Sequence, residues 1–191
     1  MDTSSGTTKS RILEAAQAIV SSHGYESTTI DDIITAAGVT KGAFYHYFKS
    51  KEHLCEVIIE QTHTAYQTLV ESLPTDAQPI ERLRAMLENL GSLNASGQWV
   101  HCRLMLRLLA EPHAESLNIQ HQLAVFWEWY KGFYLDLITQ CRQAGQLNSR
   151  TEPQRQTQFL LAMLAGMCLM SQFDPAAPPC SEMIDQIINA L

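Results

Sequence analysis

The chain has 191 residues, 46% of them hydrophobic and only 17% charged, with 20 Asp and Glu against 13 Lys and Arg for a formal net charge of −7. This length corresponds to one large domain or two small ones. The apolar share excludes intrinsic disorder, and 9 Gly and 7 Pro without a period exclude collagenous and low-complexity chains. A charged fraction below the roughly 25% of an average soluble domain implies that part of the surface is covered, by another subunit or around an internal cavity.

The longest stretch without a charged or strongly polar side chain, Phe159 to Met170, is 12 residues, short of the roughly 20 that a membrane-spanning helix needs. The opening residues MDTSSGTTKS lack the apolar run of an export signal, so a cytoplasmic protein is expected. Cysteines 55, 102, 141, 168 and 180 are odd in number and widely spaced, which fits reduced thiols rather than a disulfide framework or a C-x-x-C pair. The acidic total argues against a polyanionic partner, but the charge is unevenly placed. Residues 1–54 carry five Lys and Arg against six Asp and Glu, and between Thr40 and Leu54 three lysines face Glu52 alone.

Apolar residues recur every three or four positions in nearly every segment, which predicts an all-α chain of about nine helices. The first, over 8–23, aligns Ile12, Ala15, Ala16, Ile19 and Val20 and stops at Gly24. Thr29 caps a short second helix, with Asp32 as reciprocal partner and Ile30, Ile33, Ile34 and Ala37 as its buried stripe. Gly38-Val39-Thr40 makes a three-residue turn into a third helix, which Thr40 caps. The fourth runs from Ser50 towards Pro74, and the linker Pro74 to Pro79 leads to a fifth through Ile80, Leu83, Leu87 and Leu90. A largely apolar sixth spans 98–110. The seventh, over 114–144, holds Phe126, Trp127, Trp129, Tyr130, Phe133 and Tyr134 and closes at Gly145. The eighth covers 152–173 and the ninth 181–191, separated by the Pro-rich Asp174 to Pro179.

The third helix is the informative one. At about 100° per residue, Lys41, Gly42, Tyr45 and His46 share one side, with Ala43, Phe44, Tyr47 and Phe48 on the other. The first side suits a DNA major groove, with Lys41 for a base edge or phosphate, Gly42 for close approach, and Tyr45 and His46 for bases and phosphates. The positive helix N-terminus adds anion affinity. Spacing alone is equally compatible with a solvated lysine face.

The segment TTIDDIITAAGVTKGAFYHYFKSKEHL, with the helix before it, resembles the DNA-binding domain of the TetR family of transcriptional regulators over about Ser10 to Val57. The resemblance implies phosphate contacts at Thr28, Thr29, Tyr47 and Lys51, and base-reading positions at Thr40, Lys41, Gly42, Ala43, Tyr45 and His46. It also implies an N-terminal helix-turn-helix domain over 1–54 and a ligand-binding and dimerisation domain over 55–191. Such proteins act as homodimers on palindromic operators and are usually repressors until a small ligand enters the C-terminal domain.

Trp99, Cys102, Phe126, Trp127, Tyr130 and Tyr134 are candidates for the lining of an effector site, because flat rings accommodate planar ligands; packing within the core or at a subunit seam is the competing role. Cys102 beside His101 is also a candidate sensor thiol. Phe159, Met163, Met167, Ile184 and Ile187 on the last two helices form apolar faces assigned to a homodimer contact, with Gly166 permitting close approach. The motifs GxGxxG, Walker A, G-x-S-x-G and H-E-x-x-H are missing, so neither enzyme activity nor a cofactor is expected. Glu111, His113, Glu115 and His121 are read as surface residues rather than a metal site.

Overall fold

In a computed structural model describing residues 7–95, 100–112, 116–147, 152–170 and 180–191, the described residues form nine helices and no strand. They are α1 (Thr8–His23), α2 (Ile30–Ala37), α3 (Lys41–Tyr47), α4 (Lys51–Glu71), α5 (Pro79–Ala95), α6 (Val100–Ala110), α7 (Leu117–Gln143), α8 (Pro153–Met170) and α9 (Cys180–Ala190). These match the predicted elements to within three residues at each end. No helix among the described residues is long and apolar enough to cross a membrane.

The chain packs as two compact units, Met1–Thr64 with Val100–Ala124, and Ala65–Trp99 with Val125–Leu191. The first unit is thus larger than the segment 1–54, because α6 packs against α1 within it. Its core takes Ile12, Leu13, Ala16 and Val20 from α1, Ile33 and Ala37 from α2, Phe44 and Phe48 at α3, and Leu104 and Leu108 from α6. The helix ends follow from the residues there. Thr7 accepts from Ser10 N–H at 3.2 Å, and Gly24 closes α1 with its amide on Val20 O at 2.9 Å.

The second unit sets α5 against α9. Leu83, Met86, Leu87 and Leu90 of α5 are buried, as are Ile184 and Ile187 of α9. Arg84 pairs with Asp185 at 2.7 Å on the surface of the same two helices. At the end of α7, Gln146 donates its backbone N–H to Cys141 O at 2.9 Å, while its side-chain oxygen accepts from Ile80 N–H at 3.1 Å. The 74–79 linker is thereby tied to the helix end. Burial pushes the Cys141 thiol up to about 11 and, in the first unit, the Cys55 thiol up to about 12. Both thiols are therefore unreactive packing groups.

Candidate nucleic-acid interface

Two short helices and a glycine turn build the surface. Thr29 and Asp32 form the reciprocal cap expected of them: Asp32 N–H donates to Thr29 Oγ1 at 3.2 Å, and Thr29 N–H donates to Asp32 Oδ2 at 2.9 Å. The Thr29 hydroxyl donates to the same carboxylate at 2.6 Å, and these bonds hold the Asp32 carboxyl below the usual carboxylate range. Gly38 ends α2 at φ +61°, the left-handed conformation that glycine adopts without steric cost. Val39 N–H then bonds Ile34 O at 3.2 Å, and Thr40 caps α3 by accepting from Ala43 N–H at 3.2 Å.

Arg11 completes the turn from α1. Its guanidinium donates to Ala37 O at 2.6 Å and Gly38 O at 3.0 Å, placing a cation on the negative end of α2. The sequence offers no periodic signal for this contact, which joins positions 26 and 27 residues apart. With seven residues α3 is too short to be helical alone. It is held by Phe44, which is fully buried, and by Phe48, whose ring centroid lies 5.9 Å away.

The outer side of α3 presents Lys41, Gly42, Tyr45 and His46, all exposed, and Ala43 half-buried. Tyr45 is 48% exposed and Tyr47 is 37% exposed. Tyr47 therefore does not belong to the packed side where its helical position put it; Phe44 and Phe48 fill that side, and the Tyr47 ring stands edge-on to His46 at 4.7 Å. Lys41 Nζ lies 3.6 Å from Asp31 Oδ1 on α2, with both side chains in solvent. Thr40 is exposed at the head of the helix.

Two of the implied phosphate contacts are engaged inside the chain. Thr28 is buried: its hydroxyl donates to Gly24 O at 2.6 Å and its amide to Tyr25 O at 3.2 Å, so its polar hydrogens stabilise the turn before α2. Lys51 donates to Tyr25 O and Thr28 O, each at 3.0 Å, and its Nζ stands 4.2 Å from the Tyr25 ring centroid.

The candidate effector residues divide between the units. Trp99 lies outside the described residues, and Cys102 is half-buried in the first unit. In the second unit Phe126 and Tyr134 are buried, while Trp127 and Tyr130 are half-buried. Phe126 stacks on Tyr130 at 5.6 Å, and Tyr130 meets Tyr134 edge-on at 5.1 Å. Tyr66 of α4, which sequence reasoning passed over, joins them at 5.6 Å from Phe126 and 5.5 Å from Tyr130. Its signal was an aromatic on the inward stripe of α4.

On α8, Phe159 is 43% exposed and Met163 and Met167 are half-buried. Ile184 and Ile187, expected at the subunit contact, are instead buried in the chain's own core, because the apolar face of α9 is turned towards α5. Leu169 and Met170 supply outward apolar area on α8 that had not been assigned. Of the four residues weighed as metal ligands, His113 and Glu115 lie outside the described residues. Glu111 is occupied with backbone amides.

Comparison with known proteins bears on this geometry. The family model described as bacterial regulatory proteins, tetR family, matches residues 12–58. The HTH-type transcriptional repressor DhaR of Mycobacterium sp. (strain GP1) is 24% identical over 190 residues, covering 96% of this chain and 91% of that protein. The repressor NemR of Escherichia coli K12 is 22% identical over 188 residues, with 96% and 94% covered. Its solved reduced form superposes with a TM-score of 0.73 at 23% identity over 94% of each chain. The regulatory protein TetR from Rhodobacter sphaeroides gives a TM-score of 0.78 at 21% identity over 97% of this chain and 98% of that one. The segment matched by the tetR family model contains both capped helices, the glycine turn and the phenylalanine anchor of α3, so the resemblance to these regulatory proteins rests on residues 12–58.

Proposed function

We propose that the protein is a cytoplasmic, ligand-responsive transcriptional repressor that binds palindromic operator DNA as a homodimer and is released by a small-molecule effector. The observation that carries the reading is the outer face of α3, where Lys41, Gly42, Tyr45 and His46 stand in solvent on a helix anchored by Phe44. Thr40, Lys41, Gly42, Ala43, Tyr45 and His46 face the bases, and Thr29, Tyr47 and Lys51 the phosphates. Residues 1–54 carry DNA binding and 55–191 effector binding and dimerisation, with no catalytic role. Selection from a random pool of duplexes tests it: the protein enriches a palindrome, and enrichment of no sequence at low salt rejects the reading.

Dimerisation is assigned to the outward side of α8, through Phe159, Met163 and Met167 together with Leu169 and Met170. Two recognition helices are then set about 34–36 Å apart, one turn of B-DNA. Phe159→Glu puts a charge into that contact. The variant is expected to sediment as a monomer at concentrations where the wild type is a dimer, and a dimeric variant places the interface elsewhere.

For the effector, Phe126, Trp127, Tyr130 and Tyr134, with Tyr66 added, are the aromatic surface we assign. A second reading makes the trigger a thiol. Of the four described cysteines Cys102 alone is not buried, and the similar NemR structure is that of a reduced form. Peroxide or an alkylating agent is then expected to release the selected duplex from the wild type and not from Cys102→Ser. Equal release from both proteins excludes the thiol.

A further inference from the structure

One junction in the first unit joins segments far apart in sequence and lies outside the docking helices. Glu111, just beyond the end of α6, lays its carboxylate into the turn between α1 and α2. Oε2 accepts from Tyr25 N–H at 2.9 Å and from Glu26 N–H at 3.2 Å. Arg107, one turn back on α6, holds the carboxylate from the other side, with Nε 3.3 Å from Oε1, and its guanidinium also donates to His23 O at 3.2 Å. Gly24 makes room for the acid: its φ is +91°, and a Cβ there would lie 2.1 Å from Glu111 Oε1.

Local physics does not favour this arrangement by itself. A carboxylate beside the C-terminus of α1 opposes the helix dipole, and a positive-φ glycine carries an entropic cost. What offsets both is a pair of charge-assisted bonds to main-chain amides, made by a side chain only 16% exposed, with Arg107 neutralising the charge. The clamped turn runs directly into Thr28 and Thr29, the start of α2, and α2 carries α3 through the Gly38 turn. Its position therefore fixes where the reading helix stands.

We infer that Glu111 is a positioning residue for DNA recognition: through the Tyr25 and Glu26 amides it holds the α2–α3 pair in register with the duplex, without touching the duplex itself. The inference rests on the DNA-binding reading above. It makes a prediction opposite in sign to simple electrostatics, since deleting an acid from a DNA-binding protein by itself tightens binding to every duplex. A loss confined to the specific sequence requires a geometric cause, because only specific binding needs the base-reading side chains in register.

The test uses the full chain and the palindrome that the wild type selects from a random pool. Glu111→Gln keeps the shape and one acceptor, and Glu111→Ala removes the clamp, so a folding failure of the second leaves the first decisive. Glu111→Ala is expected to weaken palindrome binding about tenfold or more, and Glu111→Gln, which keeps an acceptor but loses the ion pair with Arg107, by a smaller factor in the same direction, while neither weakens binding to an unrelated duplex. Equal losses on both duplexes, or tightening on both, overturn the positioning role. If the wild type selects no duplex at all, the DNA-binding reading has failed first and the role of Glu111 falls with it.

Discussion

Phe44→Ala is expected to unfold the helix pair at lower denaturant than any surface change on it and to abolish sequence-selective DNA binding. The side chain is 0% exposed, its ring stands edge-on to Tyr45 at 5.3 Å and tilted to Phe48 at 5.9 Å, and its amide donates to Thr40 O at 3.0 Å. Truncating a buried Phe to Ala costs about 3–5 kcal/mol, through lost transfer energy and the cavity left behind. Against a total stability of about 5–15 kcal/mol for a small protein, that is a large fraction. The seven residues of α3 have no other buried side chain to replace it. Chemical denaturation followed by circular dichroism, with duplex binding measured at the same protein concentration, checks both halves. A loss below about 1 kcal/mol, the scale of a typical surface bond, means that α3 is held by something other than this anchor.

The helices were legible because each carries its own punctuation. Thr29 with Asp32, Gly38 and Thr40 are local signals acting within four residues, and the cap bonds form where the side-chain chemistry puts them. What the sequence hid is long-range. Arg11 on the α2 carboxyl end, Lys51 on Tyr25 O and Glu111 on the Tyr25 amide are all charged residues on otherwise ordinary helices. Nothing in a 3.6-residue period distinguishes them from charges facing water. The same limit explains Ile184 and Ile187. Periodicity identifies the apolar face of α9 but not which neighbour covers it, and α5 of the same chain does. Thr28 meets a related limit: a hydroxyl just before α2 is equally suited to an outside contact or to holding the turn behind it, and here it donates to Gly24 O.

Gly42 separates recognition from folding more sharply than any other position on the surface. Glycine inside a helix costs roughly 0.5–1 kcal/mol relative to Ala, and in this fold nothing demands it. A Cβ at Gly42 would meet only Thr40 Oγ1, at 4.0 Å, an ordinary contact, and Gly42 has none of the positive φ that Gly38 and Gly24 show. If the residue is there for what approaches from outside, Gly42→Leu moves two observables in opposite directions. The free protein becomes more stable by about 0.5 kcal/mol, as Leu is a better helix former than Gly. Its affinity for the selected palindrome falls by about 1–3 kcal/mol, roughly fivefold to 150-fold, because the new side chain holds α3 away from the base edges. Phe44→Ala moves both downwards, so the pair of variants distinguishes a lost anchor from a blocked approach. A Gly42→Leu protein that binds the palindrome as tightly as the wild type removes this face of α3 from the contact, since a duplex seated on Lys41, Tyr45 and His46 leaves no space for four added carbons at the position beside Lys41.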